Sequence, residues 1–180
     1  PGRWDGLEAK VKARRAQAES VGGMLRQNAI GGYMYLRALI GPVELLTTFY
    51  TAPEVVRAAM TAWLNLVDEA VARAQAFAEL DEIFLAEDIC YNGGLLISPD
   101  LMREFLLPYY QQVLVNAGRR QRRRIHLYID TDGDCRPAIP VYAEIGLTRM
   151  SPFEVASGCD VVEIARRYPD LAMSGGIDKR

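Results

Sequence analysis

Three aspartates crowd into five positions of the stretch LYIDTDGDC, residues 127–135: Asp130, Asp132 and Asp134. They come straight after an apolar run, the pattern of a strand handing its last residues to a loop. Carboxylates held so close repel one another unless a cation, a proton or hydrogen-bond donors lie between them. The chemistry open to them is cation binding, proton transfer, or contact with a cationic or hydroxyl-bearing substrate. Other apolar runs end in the same way. Glu87 and Asp88 follow IFLA, Ser151 and Glu154 follow LTRM, and Asp178 follows LAMSGGI.

Each of these groups also has an ordinary reading, since Asp and Ser after a strand are common loop formers and helix caps. Asp134 suits a cap for the helix expected near Pro137, and Asp160 suits the next helix. Asp130 and Asp132 stand too far from that helix for both to cap it. A calcium loop is excluded, because that pattern needs Gly at its sixth position and Glu at its twelfth. Here Gly133 is fourth and Val141 twelfth. Cys135 adjoins the acids, whose field raises its pKa and blunts it as a nucleophile. His126, the chain's single histidine, lies inside the strand and reads as structural. GGID lacks the further glycines of a dinucleotide fingerprint.

Alternating elements position these groups. Residues 5–19 form a surface helix, NAIGG begins as a short strand, and YLRALIG and PVELLTTFY read as two short helices. From Pro53 a long helix carries Val56, Met60, Trp63, Val67, Val71, Ala74 and Phe77 at spacings of three and four, a core-packing stripe. Strands follow at 82–88, 124–130, LTRMSP and LAMSGGID. Between them lie helices at SPDLMREFLLPYYQQVLVNAG, broken by Pro108, at RPAIPVYAEIG, and at DVVEIARRYPD. Strand–helix alternation with short connections implies βαβ units and a parallel sheet. The fold class is α/β: a doubly wound sheet or a (β/α)8 barrel. A barrel usually takes ~250 residues, and about five strands are visible, so a barrel is incomplete here. In either form ligands bind at the C-terminal ends of the strands, where the acids collect.

Composition bounds the alternatives. The 180 residues are half apolar and carry a formal net charge of -2, enough for one domain and unsuited to general nucleic-acid or anionic-membrane binding. No apolar stretch approaches the ~20 residues of a membrane span. Three widely spaced cysteines without a CxxC point to a reducing compartment, the cytoplasm by default. RRQRRR (119–124) precedes a strand and so lies at the end of the sheet opposite the acids, as a solvated loop or a partner surface. The chain begins at Pro1 without Met and stops at GGIDKR, which reads as cut at both ends.

The runs AEDICYNGGLLISPDLMREFLLPYY, YIDTDGD and GLTRMSPFEVASGCDVVEIARRYPDLAMSGGID together resemble the uroporphyrinogen decarboxylase superfamily, which includes corrinoid-dependent methyltransferases. The resemblance spans roughly residues 28–180. It implies a (β/α)8 barrel lacking its first strands and last βα unit, residues 1–180 being a single partial domain. In the methyltransferases a His-x-Cys pair and a later Cys hold zinc, and zinc holds an acceptor thiolate that takes a methyl group from a methyl-corrinoid on a partner protein. The paired positions here are Asp130 and Asp132. Such hard ligands favour magnesium, manganese or no metal over zinc. The decarboxylases use no metal and grip porphyrinogen carboxylates; their Ser position is taken here by Asp88, beside Glu87. The expected activity is methyltransferase-like, with tetrapyrrole decarboxylation as the alternative. A non-catalytic barrel that binds a corrinoid protein or another copy of the chain is the third. Asp88, Asp130 and Asp132 are the expected catalytic set, with Asp130 and Asp132 as metal ligands if a divalent metal binds. Glu87, Glu154, Asp178 and Tyr33 are expected to contact a small-molecule substrate.

Overall fold

The computed structural model describes residues 2–178; Pro1, Lys179 and Arg180, the chain ends singled out above, lie outside the described residues. Helix α1 (Leu7–Ser20) precedes strand β1 (Arg26–Ile30), which is followed by α2 (Gly32–Ile40), α3 (Pro42–Thr51) and α4 (Pro53–Gln75). Next come β2 (Glu82–Ala86), a small hairpin β3 (Cys90–Tyr91) and β4 (Gly94–Leu95), and helices α5 (Pro99–Phe105) and α6 (Leu107–Arg119). The chain closes with β5 (His126–Asp130), α7 (Ala138–Ala143), β6 (Leu147–Ser151), a single 3-10 turn, α8 (Val161–Arg167) and β7 (Ala172–Met173). The break expected at Pro108 falls at Leu106, which leaves Pro108 in the first turn of α6, where its missing N–H costs nothing. Ser98 caps α5 by accepting from Leu101 N, and Asp160 caps α8 by accepting from Val162 N and Glu163 N.

Five strands form one parallel sheet in the order β1-β2-β5-β6-β7, with every pairing parallel. The order never reverses along the chain. A doubly wound sheet reverses at its switch point, and five strands in this order do not close a barrel. The register aligns Ile30, Ala86, Asp130 and Ser151 at the C-terminal ends of four neighbouring strands.

Successive side chains of a strand point to opposite faces. On one face Ile83, Leu85, Leu127, Ile129 and Met150 join a core with the inward residues of α4, α6 and α7. The expected stripe of α4 is buried from Val56 to Ala74, and Phe77 packs at its margin. Trp63 is fully buried and its indole N–H donates to Ile30 O at 2.8 Å, tying α4 to the end of β1. The opposite face is polar. Arg26 lies over the rings of Phe84 (4.8 Å) and Tyr128 (5.5 Å), Arg149 lies over Tyr128 (4.5 Å), and buried Glu82 sits between the two guanidinium groups.

Ion pairs lock the N-terminal end of the sheet. Arg15 of α1 bonds Asp81 at 2.9 Å and also Glu79 O, while Arg123 reaches the other Asp81 oxygen at 3.2 Å. Arg120 pairs with Asp68 at 2.6 Å, and the Gln121 amide bridges to Leu80 and Arg123. Much of RRQRRR is thereby spent on internal contacts, at the end of the sheet remote from the acids.

Candidate functional site

The end of β5 supplies the centre of the site. Asp130 is half-buried, and the Ser151 hydroxyl on β6 donates to its Oδ1. Tyr128, two residues back on the same face, donates from its hydroxyl to Ser151 Oγ at 2.7 Å. A chain of donors therefore runs from Tyr128 through buried Ser151 to the Asp130 carboxylate. Such a chain fixes the orientation of the carboxylate. Asp130 O also receives the backbone N–H of Glu87 at 2.8 Å, which places the ends of β2 and β5 in direct contact.

Beyond Asp130 the loop is stapled from three sides. Thr131, fully buried, accepts from Ile89 N and Cys90 N, both at 3.1 Å. The Gly133 N–H donates to Glu154 Oε2 at 3.0 Å. Gly133 has φ +82°, and a Cβ there would lie 2.6 Å from the Tyr91 backbone, so only glycine fits. Asp134 does not cap α7; its carboxylate accepts from Arg136 N at 3.1 Å and pairs with the Arg136 guanidinium at 2.8 Å. That hydrogen-bonded guanidinium holds the Asp134 pKa below the ordinary carboxylate value.

Asp88 joins this rim. It adopts a left-handed backbone (φ 38°), a conformation Asp tolerates better than most residues, and its Oδ1 faces Asp132 N at 3.4 Å. Asp132 is exposed. Asp88, Asp130 and Asp132 are therefore brought together as the sequence suggests, with Glu154 holding the loop that carries them. Asp178 is exposed in the segment after β7.

Glu87 is elsewhere. It shares the face of Ile83 and Leu85 and turns into the helix layer, fully buried beneath Gly31. Its Oε1 accepts from the hydroxyls of Tyr110 and Tyr142 and from Tyr33 N, while Oε2 has no hydrogen-bond partner. Burial pushes its pKa to about 8, against the pull of those donors, with Asp88 adding in the same direction as burial. A protonated acid at neutral pH suits this setting, because an unpaired carboxylate oxygen there would be costly. Tyr33 is 1% exposed and packs in the core, so its ring does not face the rim, and burial raises its phenol pKa.

Three further contacts lay beyond the sequence reading. Thr131 and the Ser151–Tyr128 pair depend on register between strands, which sequence alone does not set. Cys135 and Cys159 meet at 3.8 Å between sulfurs, both buried; burial, then the neighbouring Cys159, raises the Cys135 pKa, so it is no nucleophile. Among the described residues no group of three or more His, Cys, Asp or Glu side chains is disposed to hold a metal ion. Nor is any described helix long and apolar enough to cross a membrane.

No family model matches this chain, and no curated protein matches it either.

Proposed function

We propose that the chain forms part of a (β/α)8 barrel of the uroporphyrinogen decarboxylase superfamily, of the methyltransferase-like branch, working at Asp130. The observation that carries this reading is the Tyr128–Ser151–Asp130 donor chain at the C-terminal ends of the strands. A parallel sheet in unbroken chain order supports the barrel. In this role Asp130 accepts a proton or hydrogen bond from a thiol-bearing, hydroxyl-bearing or cationic substrate. Ser151 and Tyr128 keep the carboxylate oriented, and Asp88 and Asp132 add negative potential around it. The methyl group would come from a corrinoid carried on a partner protein. The zinc site of that branch does not fit these residues: oxygen donors replace imidazole and thiolate, and Asp130 Oδ1 already accepts a hydrogen bond from Ser151. No step here runs through a metal.

A second reading, decarboxylation of a tetrapyrrole, gains from two features. Glu87 is turned into the helix layer, which leaves the mouth less acidic than its residue count, and Arg26 and Arg149 lie on the polar face below it. Two assays on the purified protein separate the readings. Methylcobalamin with a thiol acceptor should give demethylated corrinoid, seen in its visible spectrum, and Asp130→Asn should slow it at least ~100-fold. Turnover of uroporphyrinogen with no corrinoid demethylation would replace the first reading with the second. Inactivity in both assays would leave neither standing.

A further inference from the structure

The polar face of the sheet carries a second concentration of charge, toward the end away from the rim acids. Arg26 on β1 and Glu82 on β2 stand level with His126 on β5, and Arg149 on β6 stands level with Tyr128. Asp130 lies at the other end of β5 from His126, about 13 Å along the strand. Two depressions, of about 630 and 690 Å³, meet over Glu82 and Arg149 and share Met24 as a wall. Arg14 of α1 and Arg26 line the first, and His126 and Arg124, just before β5, line the second.

Four guanidinium groups from four separate segments thus border one groove, in a chain whose formal net charge is -2. Against them stand two carboxylates, Glu82 buried in the floor and Asp170 at the far margin. Glu82 lies 3.9 Å from Arg26 and 3.8 Å from Arg149, beyond hydrogen-bond reach, so it offsets charge without occupying N–H groups. Among the described residues Arg14, Arg26 and Arg124 donate no side-chain hydrogen bond, and Arg149 donates one, to Ser174 Oγ at 2.9 Å. Arg26 and Arg149 are nonetheless held in place by the rings of Phe84 and Tyr128. A stacked guanidinium uses its π face and keeps its N–H fork for an oxyanion, at little further loss of side-chain freedom.

We propose that this groove is a second binding site, for a small oligo-anion bearing two or more phosphate or carboxylate groups. Several oxyanion groups on one molecule match guanidinium forks set along a groove, whereas a monoanion answers only part of the surplus charge. The anionic groups sit over Glu82 between Arg26 and Arg149, with Arg14 at one end of the groove and Arg124 at the other. None of the lining residues belongs to the Asp130 rim, so this site stands apart from the function proposed there.

Isothermal titration calorimetry of the purified chain at about 50 mM salt tests this, with tripolyphosphate and citrate as probes. At least one probe is expected to bind one-to-one with a dissociation constant below about 100 µM, and the tighter of the two tells phosphate from carboxylate. Arg26→Gln should weaken binding about 10-fold or more, and so should Arg14→Gln combined with Arg124→Gln, which leaves the stacked pair intact. Arg166→Gln, at an exposed position on α8, should change it less than about 2-fold. Circular dichroism checks folding, and if Arg26→Gln is unfolded the combined variant decides. A dissociation constant above about 100 µM for both probes, several equivalent weak sites, folded groove variants that bind as the wild type does, or an equal loss in Arg166→Gln would each overturn the inference.

Discussion

Replacing Glu87 with Gln should change how stability depends on pH. In the folded chain burial raises this carboxyl from 4.5 to about 8. In the unfolded chain it titrates near its ordinary value. Below pH ~4.5 the acid is protonated in both states and adds no pH dependence. Between ~4.5 and ~8 the folded state holds a proton the unfolded state has lost, so stability falls by about 1.4 kcal/mol per pH unit. Above about pH 8 both states are ionised and the loss levels off, at a ceiling of roughly 5 kcal/mol for the whole shift. Gln cannot ionise, and its carbonyl can still accept from Tyr110, Tyr142 and Tyr33 N. Urea denaturation from pH 5 to pH 9 is the assay. The wild type should lose stability steadily while Glu87→Gln stays nearly level, the variant becoming the more stable of the two on the alkaline side. Parallel curves would mean that Glu87 is ionised in the fold or reached by water, and the reasoning would fail.

Two further substitutions probe the loop that carries the acids. Thr131→Ala strips the acceptor from two buried N–H groups, those of Ile89 and Cys90, and should cost about 2–4 kcal/mol in chemical denaturation; Thr131→Ser should restore most of it. Gly133→Ala meets both a positive φ and the Tyr91 backbone. It should cost about 1–3 kcal/mol and raise hydrogen exchange at Gly133 and Asp134, whereas Gly118→Ala, with open space around it, should be neutral or mildly stabilising.

Most of the architecture is readable from the chain because its local signals agree. The α4 stripe, the Ser98 and Asp160 caps and the strand–helix alternation each predict what is found. The β3–β4 hairpin was missed, although Asn92-Gly93 is a turn signal, because strands of two residues show no periodicity. Position after a strand puts Glu87 at the rim, whereas strand parity puts it in the core. In EIFLAE, Glu87 shares a face with Ile83 and Leu85, while in HLYID, Asp130 shares one with Tyr128. The Ser151–Asp130 contact lies further out of reach, since it needs the pairing of β5 with β6 and the register shift between Leu127 and Tyr128.

On the proposed function, Asp130, held by Ser151 and Tyr128, is the reacting carboxylate of the rim, whereas Asp134 serves the loop. Turnover of Asp130→Asn beside Asp134→Asn, on whichever substrate the wild type accepts, tests this most directly. A fall in kcat/KM of about 100-fold or more is expected for Asp130→Asn and of less than about 5-fold for Asp134→Asn. Near-normal turnover by Asp130→Asn in folded protein would contradict it.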